Sequence, residues 1–91
     1  MQSAEKLIEA FCRIKEPEIM RRFFCEIFTP AEIDDFVLRW RLMEMLQNGE
    51  SQRDISKELG ISLCKITRGS RVLRTGHSIT QKLLKDKIGD T

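Results

Sequence analysis

SQRDISKELGISLCKITRGSRVL, residues 51–73 of a 91-residue chain, holds two short helical patterns on either side of one glycine. Ser51 can cap the first pattern, with Asp54 three residues on in the box position. Ile55 and Leu59 make its buried stripe, and Ser56 between them is small. Gly60 supplies a tight turn, Ile61 plugs the corner, and Ser62 can cap the second pattern. That second helix buries Ile66 and Leu73, while Leu63, Cys64, Lys65, Thr67 and Arg68 can face outward. Two helices crossing at about 90–120° need a small residue where they approach and a glycine to reverse the chain. Ile55, Leu59, Ile61 and Ile66 are placed to close the wedge between them. The spacing is that of a helix-turn-helix, whose second helix enters the major groove of DNA. A plain αα-corner carries similar spacing, so the charge pattern decides between the two.

Net charge is only +2, yet it is unevenly spread. Residues 1–50 carry seven Lys/Arg against ten Asp/Glu, and residues 51–91 carry nine against four. No acidic residue lies between Leu59 and Lys85, a window holding Lys65, Arg68, Arg71, Arg74 and Lys82. A basic half beside an acidic half suits a polyanion on one face, and together with the corner it favours DNA binding.

The rest of the composition sets bounds. Hydrophobic residues at 41% suffice for a core, so wholesale disorder is excluded. Five Gly, two Pro and no Tyr argue against a many-stranded β-domain and for an all-α one. Cys12, Cys25 and Cys64 are odd in number and form no CxxC pair, which predicts reduced cysteines and no metal site. No apolar run of about 18 residues exists for a membrane span, and charges interrupt the N-terminal apolar positions as no signal peptide would. A cytoplasmic protein without a membrane partner is expected. One His, no convergent carboxylates, no nucleophile–base pair and no phosphate loop argue against an enzyme.

Upstream, Leu7, Ile8, Phe11 and Ile14 are helically spaced over about Ser3 to Lys15. Pro17 suits the first turn of a second helix carrying Ile19, Met20, Phe23, Phe24 and Ile27. Thr29-Pro30-Ala31-Glu32 is a start signal, with Thr29 as cap and Glu32 closing a capping box. The third helix runs to about Gln47, and Asn48-Gly49 ends it. Ile33, Phe36, Val37, Trp40 and Met43 form one of its faces, while Leu38, Leu42, Met45 and Leu46 fill others. A helix apolar nearly all round is buried on most sides, and Trp40 is expected in a core. Either a second chain supplies that burial or the monomer core is thick. The reading adopted is one domain over 1–91. Residues 1–49 form the dimerisation helices, 51–74 the helix-turn-helix, and 78–88 a C-terminal helix packing on the dimer. Ser78 and Gln81 would cap that last helix, and Ile79, Leu83 and Leu84 would pack inward.

Several stretches resemble the bacterial tryptophan repressor family: Phe28-Thr29-Pro30, Leu38-Arg39-Trp40-Arg41, Asn48 to Arg53, Glu58-Leu59-Gly60 and Lys65-Ile66-Thr67-Arg68-Gly69-Ser70. The resemblance covers about half the chain, and Ile66–Ser70 is its most specific part. It implies a six-helix intertwined homodimer that binds L-tryptophan as corepressor and then docks on double-stranded operator DNA. By position, Arg39 matches the arginine beneath the indole ring, and Arg68 the one that covers the ring and holds the carboxylate. Gly69 matches a glycine that leaves room beside the ligand. Glu26, Phe28 and Thr29 match the pocket edge given by the second subunit. Val72 stands where well-studied members carry a serine near the ligand's amino group. Guanidinium planes both stack on aromatic rings and pair with carboxylates, which fits this division.

For DNA, the resemblance makes Arg53 a base contact and Leu63, Cys64, Lys65 and Thr67 the base-facing surface. Ser56 and Lys57 would touch phosphate, and Arg71 adds to the basic surface. Water bridges and DNA shape are expected to carry much of the specificity. The function implied is repression of genes for tryptophan biosynthesis or uptake. The rival is a helix-turn-helix regulator of the same fold with no ligand or a different one.

Overall fold

A computed structural model describes residues 3–86, and among them the chain is all helical, with six helices and no strand. They are α1 (Glu5–Arg13), α2 (Pro17–Ile27), α3 (Pro30–Gln47), α4 (Gln52–Leu59), α5 (Leu63–Arg74) and α6 (Ile79–Asp86). The chain divides into two compact units, Met1–Asp35 and Phe36–Thr91. The expected C-terminal helix was drawn to residue 88, and its last two positions lie outside the described residues, as do residues 1 and 2.

Local chemistry accounts for the boundaries. α1 stops two residues short of the expected Lys15, because Pro17 disfavours helical backbone at Glu16, which is extended at φ −95°, ψ 129°. Ile14 therefore leaves the helix and sits extended at its end. Pro17 occupies the start of α2, where its missing N–H costs no helical bond. At the start of α3 the capping box is complete. The Thr29 Oγ1 accepts from the Glu32 backbone N–H at 3.2 Å, and the Glu32 Oε1 accepts from the Thr29 N–H at 2.9 Å. α3 ends in a Schellman motif around Gly49 (φ +85°), with Glu50 N–H donating to the Met45 carbonyl and Gly49 N–H to that of Leu46.

In the first unit the packing is aromatic. Phe11 of α1 meets Phe23 and Phe24 of α2 at ring-centre distances of 5.4 and 5.8 Å, and stacks on Phe28 at 6.3 Å. Phe24 and Phe28 close the cluster at 5.2 Å. These contacts join α1 to α2 although neither fully buries a residue.

The second unit holds the core, made by Leu42 and Met45 of α3, Ile55 of α4 and Ile66 of α5, flanked by Leu46, Leu59 and Ile61. The wedge of Ile55, Leu59, Ile61 and Ile66 closes as its spacing predicts. Ile55 and Ile66 are both 0% exposed. The expectation for α3 is only half met in this single chain. Leu42 and Met45 are buried, but Phe36, Val37 and Trp40 are exposed, Trp40 at 39%. The core cluster takes only Leu42 and Met45, with Leu46 beside them, from the last turns of α3. α6 likewise leaves Ile79 and Leu83 exposed and Leu84 half-buried. Its cap forms as expected, Ser78 Oγ accepting from the Gln81 N–H at 3.0 Å.

Gly60 ends α4 in the left-handed region (φ +66°), its N–H donating to the Ser56 carbonyl at 2.8 Å. A Cβ there would meet nothing within 4 Å, so substitution strains only the backbone. Gly60→Ala should destabilise by about 1–2 kcal/mol, with Gly60→Asn clearly milder. Urea melts of both variants check this, and equal losses would mean that backbone strain is not the cause.

Candidate functional site

α4 and α5 are joined by residues 60–62 and packed through Ile55 and Ile66, so the turn fixes the direction in which α5 leaves the core. Ser51 caps α4 by accepting from the Asp54 N–H at 3.1 Å, and Ser62 caps α5 by accepting from the Lys65 N–H at 3.4 Å. The Ser56 hydroxyl, half-buried, donates to the Ile61 carbonyl at 2.8 Å across the turn. Its one donor is thus committed, and a phosphate, which only accepts, would have to displace that bond. Ser56 thus braces the turn, and the phosphate contact expected of it would have to break this bond.

The other residues matched to DNA contacts are accessible. Arg53 lies in the first turn of α4 and Lys57 in its last, both exposed. Leu63, Cys64 and Lys65 form the exposed first turn of α5, which contains no acidic residue. Thr67 is half-buried, and Arg71 is exposed further along the helix. Arg41 of α3 pairs with Glu58 of α4 at 3.0 Å. Both side chains of that pair are more than half exposed, so it neutralises an acid beside the basic surface while adding little stability. Nothing in the sequence announced this pair, whose partners are seventeen positions apart.

The residues matched to the ligand belong to several elements. Arg39 lines an open, largely apolar cleft of about 220 Å³ with Phe36, Trp40, Met43 and Thr80. Phe36, Trp40 and Met43 share a helical face that the sequence reading recognised as apolar, but Thr80 carried no signal. Arg68 is exposed and Val72 half-buried on α5, and neither lines this cleft. Gly69 is buried, and a Cβ there would stand 3.2 Å from Leu42 Cδ2 and from Leu46 Cδ1. In this chain the glycine at 69 lets α5 approach α3, and leucine side chains occupy the space in the direction of a Cβ. Glu26 (exposed), Phe28 (in the aromatic cluster) and Thr29 (the α3 cap) belong to the first unit.

The three thiols are free and exposed, and no group of His, Cys, Asp or Glu among the described residues is arranged to hold a metal ion. No helix among them is long and apolar enough to cross a membrane.

Comparison with known proteins gives a consistent picture. The family described as "Trp repressor protein" matches residues 2–88. A "Trp operon repressor homolog" of Xylella fastidiosa (strain M23) is 35% identical over 88 residues, covering 96% of this chain and 94% of the relative. A protein of the same description from Chlamydia caviae is 30% identical over 80 residues, covering 87% and 79%. "Uncharacterized protein YerC" of Bacillus subtilis (strain 168) is 29% identical over 87 residues, covering 96% and 83%. No solved structure matches the chain.

Proposed function

Because the chain belongs to the Trp repressor family, whose members are DNA-binding transcriptional regulators, we propose that it is a repressor that docks on operator DNA when L-tryptophan is bound. The observation that carries the reading is the exposed, acid-free first turn of α5, held on a rigid corner by Ile55 and Ile66. α4 and α5, within residues 51–74, act as the helix-turn-helix. Residues 1–49 act as the dimerisation helices of a homodimer, and 78–88 as a helix packing on it. The apolar surface of Phe36, Val37 and Trp40 supports a second chain, since water contact there is relieved by burial. The protein works in the cytoplasm, uses no metal, catalyses no reaction, and controls genes of tryptophan biosynthesis or uptake.

In this mechanism L-tryptophan lies between Arg39 and Arg68, the guanidinium planes stacking on the indole and Arg68 pairing with the carboxylate. Gly69 and Val72 sit beside it, and Glu26, Phe28 and Thr29 of the second subunit supply the opposite wall. Bound ligand sets the separation of the two recognition helices to that of successive major grooves, about 34 Å. It can do so only by binding the DNA-competent arrangement more tightly than the alternative. Leu63, Cys64, Lys65 and Thr67 face base edges, and Arg53 donates to a guanine. Lys57 and Arg71 meet phosphates, and Ser56 reaches one only by giving up its bond to Ile61.

Titration calorimetry of L-tryptophan into the purified protein tests the corepressor directly. Saturation near one ligand per chain supports it. No heat at millimolar ligand favours the second reading, a regulator of this fold with another signal or none. Two observations speak for that rival: Val72 in place of a serine, and leucines filling the space beside Gly69. For the DNA surface, Arg53→Ala should weaken operator binding about ten- to a hundredfold while leaving helix content unchanged, since Arg53 is exposed. Gel-shift titration with a circular-dichroism control reads both, and undiminished affinity would move the contact elsewhere.

A further inference from the structure

Leu63, Cys64 and Lys65 open α5 with their side chains exposed, Leu63 at 56%. Ile66, fully buried, fixes the helix's rotation on the core. At 100° per residue, Cys64 then lies opposite the core, with Leu63 and Lys65 to either side of it. Leu63 and Lys65 are two positions apart, about 200° around the helix, so they stand on opposite flanks of Cys64 with a rise of about 3 Å between them. A surface built only to hold phosphate needs cations, and an outward leucine adds nothing to it. A cation and an apolar side chain on the two flanks of one outward surface match a different target. In the major groove, guanine offers two acceptors, O6 and N7, and thymine offers its C5 methyl group. No acidic residue between Leu59 and Lys85 competes for the Lys65 ammonium.

We infer that Lys65 and Leu63 read the operator by direct contact. Each half-site then carries a guanine whose O6 or N7 accepts from the Lys65 ammonium. The same half-site carries a thymine whose methyl packs on Leu63, on the other flank of the helix. This rests on the proposed DNA-binding function and adds the base chemistry that its operator must present. It also assigns to side chains part of the specificity that the family resemblance assigns to water and DNA shape.

The test is selection from a randomised duplex library by the full chain, with and without L-tryptophan, followed by sequencing of the bound DNA. The unaltered protein should enrich a two-fold symmetric motif containing the guanine and the thymine. Lys65→Ala should lose about tenfold of its preference at the guanine alone, and Leu63→Ala a few-fold at the thymine alone, with both variants retaining their helix content. A Lys65→Ala variant that keeps the same motif, but weakens uniformly and loses about one unit of salt slope, would make Lys65 a phosphate contact and overturn the inference. Absence of any selected duplex in either condition would instead reject the DNA-binding reading on which it stands.

Discussion

Ile66→Ala should cost about 2–5 kcal/mol of folding stability. Ile66 is 0% exposed and joins α5 to Leu42, Met45 and Ile55, so the removed methyl groups leave a cavity at the meeting point of three helices. Domains of this size have only about 5–15 kcal/mol in total. The midpoint temperature should therefore fall by more than about 10 °C. Thermal and urea melts at one fixed protein concentration measure it, because an oligomer's stability depends on concentration. Ile66→Val, which removes a single methyl, should cost about 0.5–1.5 kcal/mol. Equal and small losses in both would mean that the corner is held by something other than this contact. The functional consequence is direct, since the same residue sets the rotation at which Leu63 and Lys65 are presented.

Arg68→Ala should abolish the response to L-tryptophan, weakening its binding by at least about thirtyfold, without loss of folded dimer. The expected size reflects two tasks given to one guanidinium, covering the ring and pairing with the carboxylate. Arg68 is exposed in the single chain, so its truncation leaves no cavity. Calorimetry gives the affinity, and sedimentation confirms the oligomer. Arg68→Lys separates the two tasks: it keeps a charge for the carboxylate but loses the flat surface for the ring, and should bind at an intermediate level. Unchanged affinity in Arg68→Ala would remove the pocket assignment while leaving the DNA surface standing.

How far the chain could be read in advance differs by segment, for physical reasons. Capping is local: Thr29 with Glu32, Ser51 with the Asp54 N–H, and Ser78 with the Gln81 N–H each lie three residues apart, and each bond is present. Helix ends at Gly49 and Gly60 follow from the backbone freedom of glycine at positive φ. The wedge of Ile55, Leu59, Ile61 and Ile66 was legible because helical periodicity puts those residues on facing sides of one turn. The surface proposed for DNA rests on the complementary pattern: the outward side of α5 carries Lys65, Arg68 and Arg71, and no acidic residue lies in that helix.

What could not be read depends on which distant side chains meet. The Ser56 hydroxyl bonding to Ile61, the Arg41–Glu58 pair, and Thr80 beside Arg39 and Trp40 have no periodic signature. Gly69 shows the difference most clearly. The motif around it resembles one that leaves room for a ligand, while the tertiary structure adds that a Cβ at 69 would stand 3.2 Å from Leu42 and Leu46. α3 shows the converse. Its apolar residues on every side were plain from the sequence, while only the tertiary structure decided which were covered. Leu42 and Met45 are covered, and Phe36, Val37 and Trp40 are left in water. By itself the sequence determined the helical pattern, the serine and threonine caps and the corner, because bonds over three to five residues and a 3.6-residue period are properties of the local chain. Tertiary structure alone decided the burial of α3, the close approach at Gly69 and the ion pair between α3 and α4. Each depends on side-chain distances across the fold, which no local pattern encodes.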